Sequence, residues 1–166
     1  METKNLDIYG NEPVPWSRAR DALAENLGSG VTFFIGTTRP DGTPHAAGVG
    51  AMWADDTLWF VTGPRTVKAR NLAANSACTL SCRLREIDVV VEGHAERVTD
   101  ADALERLAAV YREVGWPAQV DGDAFTAPYS APSAGPPPWH LYRVTIDTAF
   151  GVPTAEPYGA SRWRFR

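Results

Sequence analysis

The sequence predicts a mainly β protein, an antiparallel barrel with peripheral helices, and three features carry that expectation. From Val31 onward, segments rich in β-branched and aromatic residues follow one another at short spacing. Between them stand turn signals, Arg39-Pro40-Asp41-Gly42 and Asp55-Asp56, where Pro presets φ and Gly tolerates positive φ. Most of the strands are therefore sequential and joined by short turns, as in an antiparallel barrel or strongly curled sheet rather than a doubly wound α/β sheet.

The elements follow in order. Residues 15–27 read as an amphipathic helix: Pro15 sits in the first turn, Ala19, Leu23 and Leu27 repeat at i, i+4, i+8, and Gly28 stops it. Residues 31–38, 43–54 and 57–62 read as three strands of a meander. Gly48 and Gly50 interrupt the middle strand, where glycine marks a bulge or the close approach of a ligand to backbone. Residues 66–75 form a short helix with Val67, Leu72 and Ala73 available for packing, and 77–84 with 87–98 form a further β pair in which Val89-Val90-Val91 is a buried run. Thr99 or Asp100 caps a helix through about Val114, with Leu104, Leu107, Ala108 and Tyr111 at helical spacing. A proline-rich loop, residues 127–139, and a last strand, residues 139–145, lead to a tail at 161–166.

At 166 residues the chain fits one domain, 1–166, with residues 1–14 as a flexible N-terminal arm. A single core of this size buries about 70% of the unfolded surface. The net charge of −4 argues against broad nucleic-acid binding, which needs a basic face or stripe. No run approaches the ~20 apolar residues of a membrane span. Cys78 and Cys82 match neither a zinc pattern nor a C-x-x-C pair, and with two thiols and no secretory leader a reducing cytoplasm is the simpler setting. Six tryptophans are many for this length and suggest aromatic-lined pockets or interfaces as well as core.

The stretch from Phe60 to Leu72 carries the clearest chemistry. A strand ends, Gly63-Pro64 turns the chain, and a helix begins with Arg65, Thr66 and Lys68 in its first turn. Cations there oppose the positive N-terminal end of the helix dipole, an arrangement that makes sense if an anion is shared with free backbone N–H groups. A solvated basic helix face gives the same pattern, and the spacing is not that of a P-loop. His45, His94 and His140 show no ligand spacing, no Ser/His/Asp set can be argued, and Asp55-Asp56 and Asp121-Gly122-Asp123 read as turns.

The order of elements, the Arg39–His45 hairpin and the Lys68-Ala-Arg-Asn-Leu72 segment resemble the pyridoxamine 5′-phosphate oxidase-like split β-barrel superfamily. The run Ala131-Pro-Ser-Ala-Gly-Pro-Pro-Pro-Trp139 and the tail Tyr158-Gly-Ala-Ser-Arg-Trp-Arg-Phe165 look like its flavin/deazaflavin oxidoreductase branch. The resemblance runs from about Trp16 to Phe165.

That resemblance implies a homodimer with small-molecule cofactor sites at the interface. It makes Thr62, Arg65, Thr66 and Lys68 contacts to the cofactor phosphate, with Arg70 and Asn71 beside them. Many relatives have Arg-Lys where this chain has Val67-Lys68. The strand holding Gly48, Val49, Gly50, Met52 and Trp53 would lie along the flavin ring. Glycine at 48 and 50 would let backbone amides reach the ring edge, unless these residues only relieve a bend. Trp139, Trp163 and Arg164 would cover the ring or the cofactor tail, although Trp163 suits core or dimer packing equally. The implied function is hydride transfer between an F-420 type deazaflavin coenzyme and an unsaturated small-molecule substrate, the cofactor supplying the reacting atom. Two alternatives remain: an FMN-dependent oxidoreductase, and a non-catalytic flavin or deazaflavin carrier.

Overall fold

In the computed structural model residues 1–26, 30–130 and 134–165 are described. The expected helix stop at Leu27-Gly28 and the segment 131–133 of the proline-rich run lie outside the described residues, as does Arg166. The chain runs β1 (Glu2–Asn5), α1 (Trp16–Glu25), β2 (Phe33–Thr38), β3 (Pro44–Val49), β4 (Ala51–Ala54), β5 (Thr57–Thr62), α2 (Val67–Ala74), β6 (Ala77–Leu84), β7 (Ile87–Val98), α3 (Ala101–Glu113), β8 (Gln119–Asp121), β9 (Ala124–Thr126), β10 (His140–Pro153) and β11 (Ser161–Arg164).

Hydrogen-bonded neighbours run β3-β2-β6-β7-β10-β5-β4, every pair antiparallel. Since β4 follows β3 directly along the chain, this path returns to its start and closes a barrel. The expected strand 43–54 is thus two strands that part at Gly50, the first paired with β2 and the second with β5. Tight turns support the closure. Gly42 has φ +84°, the left-handed residue that follows the Pro40-Asp41 turn, and Asp55 and Asp56 both adopt left-handed φ, matching a primed turn that suits strand twist.

The last strand is longer than its sequence suggested. Asp147, Gly151 and Pro153 are poor strand formers, yet β10 continues to Pro153 because β7 pairs along its length and β11 joins its far half. A bulge between Ile146 and Thr148 marks the change of neighbour. Opposite the bulge, a Cβ on Gly93 would collide with the Thr145 carbonyl, so the close approach requires glycine. The short β8–β9 hairpin was not foreseen as strands, although Asp121-Gly122-Asp123 does form its turn.

The N-terminal segment differs from the expected flexible arm. Strand β1 pairs with β11, Leu6 N–H donates to the Ala160 carbonyl at 2.8 Å, and Val14 N–H donates to Ser161 Oγ at 2.9 Å. The exposed edge of β11 supplies the partners that hold it.

Two apolar clusters follow from strand alternation. One fills the barrel with Ile35, Leu58, Phe60, Leu80, Val89 and Val91, joined by Ala19 and Leu23 of α1. The other lies outside the barrel wall, where Met52, Trp59 and Leu141 meet Leu104, Leu107, Ala108 and Tyr111 of α3 and Phe125 of β9. The helical spacing of α3 accounts for this face, and the Asp100 carboxylate caps the helix by accepting from Ala103 N–H at 2.9 Å.

Candidate functional site

A groove of about 410 Å³ opens at the margin of the second cluster. Its floor is the parting of β3 and β4, where Gly48, Val49, Gly50, Ala51 and Met52 line it, with Val61 and Thr62 of β5 alongside. Lys68 of α2 enters it, and Tyr111, Val114 and Trp116 with Tyr129, Ser130 and Ala134 supply an aromatic and backbone wall. Six of the residues expected at a cofactor site, Gly48, Val49, Gly50, Met52, Thr62 and Lys68, are therefore brought together.

Gly50 leaves room there. Among the described residues a Cβ added to it would find nothing within 4 Å, and one on Gly48 would meet only Thr32 Cγ2, at 3.8 Å. The missing side chains thus leave open space in the floor of the groove.

Lys68 is half-buried, and burial holds its ammonium below the ordinary lysine pKa. Among the described residues it takes part in none of the salt bridges. His45 feels the same charge: its pKa is lowered by burial first, then by Arg39 and by Lys68. A desolvated cation without a carboxylate partner is costly, and an anion would relieve that cost.

The helix that presents Lys68 is built locally. Thr66 is its N-cap: the hydroxyl accepts from Ala69 N–H at 3.3 Å and donates to the Gly63 carbonyl at 2.9 Å. That leaves Thr62 Oγ1, 3.1 Å away, to donate to Thr66. Asn71 fastens the same helix to the barrel by donating to Thr37 Oγ1 at 3.0 Å.

The remaining expected residues part company. Arg65 and Thr66 line a neighbouring groove of about 400 Å³ with Gly63, Pro64 and the Ala134–Pro138 segment, and Ala134 borders both grooves. Arg70 is exposed on another side of α2, its guanidinium donating to the Arg65 carbonyl at 2.6 Å. Asn71 is only 3% exposed and engaged with Thr37, so it serves the fold. Trp139 is buried behind the wall, packed edge-on against Trp116 with ring centroids 5.5 Å apart, and its indole N–H finds no partner among the described residues.

Three of the candidate residues lie away from this groove, Trp163 following the core-packing alternative. Trp53 points to the opposite face of β4 from Met52, into the barrel cluster beside Trp16, because successive strand residues face opposite ways. Trp163 is fully buried and donates its indole N–H to the Val14 carbonyl at 3.1 Å, which makes it core rather than cover. Arg164 is exposed on β11, between Glu2 and Thr148 in register, and is absent from the groove lining.

Sequence reasoning missed the aromatic wall. Tyr111 fell within the apolar repeat of α3 and read as core, Trp116 lay in a segment without an assigned element, and Tyr129 lay in the proline-rich loop without being singled out. They clasp one another: Trp116 Nε1 donates to the Tyr129 carbonyl at 2.8 Å, and Tyr129 Oη donates to the Gly115 carbonyl at 3.0 Å. Aromatic residues crowded around Gly115 and Pro117 were the available signal.

Comparison with known proteins agrees with this architecture. Residues 19–152 match the family model described as pyridoxamine 5′-phosphate oxidase. A pyridoxamine 5′-phosphate oxidase-related, FMN-binding protein from Nostoc punctiforme is similar in structure, with a TM-score of 0.58 and 18% identity over 90% of this chain and 89% of that one. A structure named F420 reductase matches with a TM-score of 0.53 and 20% identity, covering 75% of this chain and 93% of the other. General Stress Protein 26 from Bacillus anthracis gives a TM-score of 0.57 at 16% identity, covering 89% and 99%. At these identities the structural likenesses establish the fold. A search of curated proteins gives no match.

Proposed function

The chain belongs to the pyridoxamine 5′-phosphate oxidase family, and on that footing we propose that it is an oxidoreductase holding an F-420 type deazaflavin in the groove beneath Lys68. The observation that carries this reading is Lys68 itself, half-buried and unpaired among the described residues, in a groove whose glycine floor leaves space open. A flat, anionic, largely apolar molecule meets each of those conditions. When bound, such a cofactor supplies the atom that donates or accepts hydride.

The protein's own residues do the rest. Lys68 neutralises the phosphate, and Arg65 in the adjoining groove adds positive charge along an anionic tail. The backbone at Gly48–Gly50 lies against the ring without side chains intervening. Met52, Val61, Val114 and Trp116 exclude water, which strengthens every charge interaction inside the groove.

FMN is the second reading, favoured by the family model and by the similarity to an FMN-binding protein. We further propose a homodimer. Phe34, Val90 and Phe150 fall in one row across β2, β6, β7 and β10, with Val152 two residues further on, and Phe34 is 54% exposed. Apolar surface of that kind marks an interaction site, and sedimentation velocity reads the mass directly.

Fluorescence titration with FMN and with the deazaflavin, followed by turnover with each reduced cofactor and an unsaturated acceptor, tests the reading. Saturable deazaflavin binding with turnover supports it. Tighter FMN binding moves the enzyme to the flavin branch, and binding without turnover makes the protein a carrier. Binding of neither ends the redox assignment.

A further inference from the structure

Tyr111 lines the groove and carries an unused hydrogen-bonding group that is itself covered from solvent. Its side chain is 7% exposed, its hydroxyl has no partner among the described residues, and the residue lines the groove that also holds Lys68 and Gly50. A buried hydroxyl without a partner is destabilising unless something supplies the missing bond.

The ring cannot easily turn away to find one. Trp116 meets it edge-on at 5.1 Å and Phe125 at 5.9 Å, and α3 fixes its backbone among Leu104, Leu107 and Ala108. Burial pushes the phenol well above its ordinary pKa. At physiological pH it is therefore a neutral donor.

We infer that the Tyr111 hydroxyl donates a hydrogen bond to an acceptor oxygen or nitrogen on the ring system of the cofactor bound in this groove. This rests on the cofactor reading above and extends it: Lys68 holds the anionic group, while Tyr111 selects a ring that carries an acceptor at its edge. A purely hydrocarbon ring would leave the hydroxyl unpaired and would be rejected.

Tyr111→Phe removes the hydroxyl and keeps the ring packing. Oxidised FMN and the deazaflavin would each be titrated into wild type and variant, the absorption spectrum of the bound cofactor recorded, and the thermal midpoint of both ligand-free proteins measured. The inference expects about a three- to tenfold weaker affinity, a shifted absorption band, and a midpoint equal to or above that of wild type, since an unpaired group has been removed. Unchanged affinity and spectrum with a raised midpoint would overturn it and leave Tyr111 as strained core. Weaker binding with a lowered midpoint would also overturn it, because packing would then explain the loss. If wild type binds neither cofactor, the cofactor reading itself fails; if wild type binds and Tyr111→Phe binds equally, only this inference does.

Discussion

Asn71 on α2 donates through Nδ2 to the Thr37 hydroxyl on β2 at 3.0 Å, with both side chains buried. This bond, with Leu72 packed in the barrel cluster, ties the helix carrying Lys68 to the barrel wall. Removing Asn71 leaves the Thr37 hydroxyl with only the longer 3.5 Å approach of His45 Nδ1. Asn71→Ala is expected to destabilise by about 1–3 kcal/mol, read as a drop in denaturation midpoint at unchanged m-value.

Gly50 distinguishes a ligand floor from a mere bend. A methyl at that position meets no atom of the described residues within 4 Å, so Gly50→Ala should fold as wild type and gain up to about 1 kcal/mol from reduced chain entropy. Cofactor affinity should nevertheless fall at least severalfold, because the methyl occupies the space the ring needs. Isothermal titration and thermal unfolding on one preparation measure both effects; equal affinity would make Gly50 a strand-breaking residue only.

Lys68 gives the site a pH dependence of definite sign. Its folded pKa lies below the ordinary value because of burial. Above that pKa the unfolded chain holds the proton that the folded protein has lost, so the Lys68 contribution to stability improves as pH rises. Affinity for an anionic cofactor moves oppositely, since it needs the ammonium and is lost as pH climbs through the Lys68 titration. Lys68→Arg stays charged throughout, and its affinity should be flat over the window in which wild type declines.

Cys78 and Cys82 are buried on one face of β6, and burial raises their pKa values to about 11 and about 12. Both thiols should therefore resist a neutral-pH disulfide reagent in the native protein and react fully in denaturant. Labelling at the rate of mixing under native conditions would contradict this packing.

Much of the architecture was legible because alternation and turn chemistry are local signals. The bounds of β5, β6 and β7 agree with the expected strands 57–62, 77–84 and 87–98, the first of them closed by Asp55-Asp56 and Gly63-Pro64. Lys68 and Gly50 stood out as candidates because a first-turn cation and a mid-strand glycine are locally anomalous, and the fold brings both to one groove. The partner of a side chain across the fold is not a local signal. Trp163 and Trp53 face the core because β1, α1 and β11 close over that end of the barrel, and Tyr111 reaches the groove only because α3 packs against β4 and β5. For the same reason Arg65 and Lys68, three residues apart, open onto different grooves.

The most direct measurement is the dissociation constant of the preferred cofactor for Lys68→Ala beside Arg65→Ala, each with a thermal midpoint. Lys68 in the ring groove is expected to dominate: Lys68→Ala should weaken binding by about 1.5–3 kcal/mol, as for a lost charge-assisted bond, and Arg65→Ala by no more than about 1 kcal/mol as an exposed charge. Both proteins should keep the wild-type fold. If Lys68→Ala binds as tightly as wild type, the ammonium does not hold the cofactor and the site lies elsewhere.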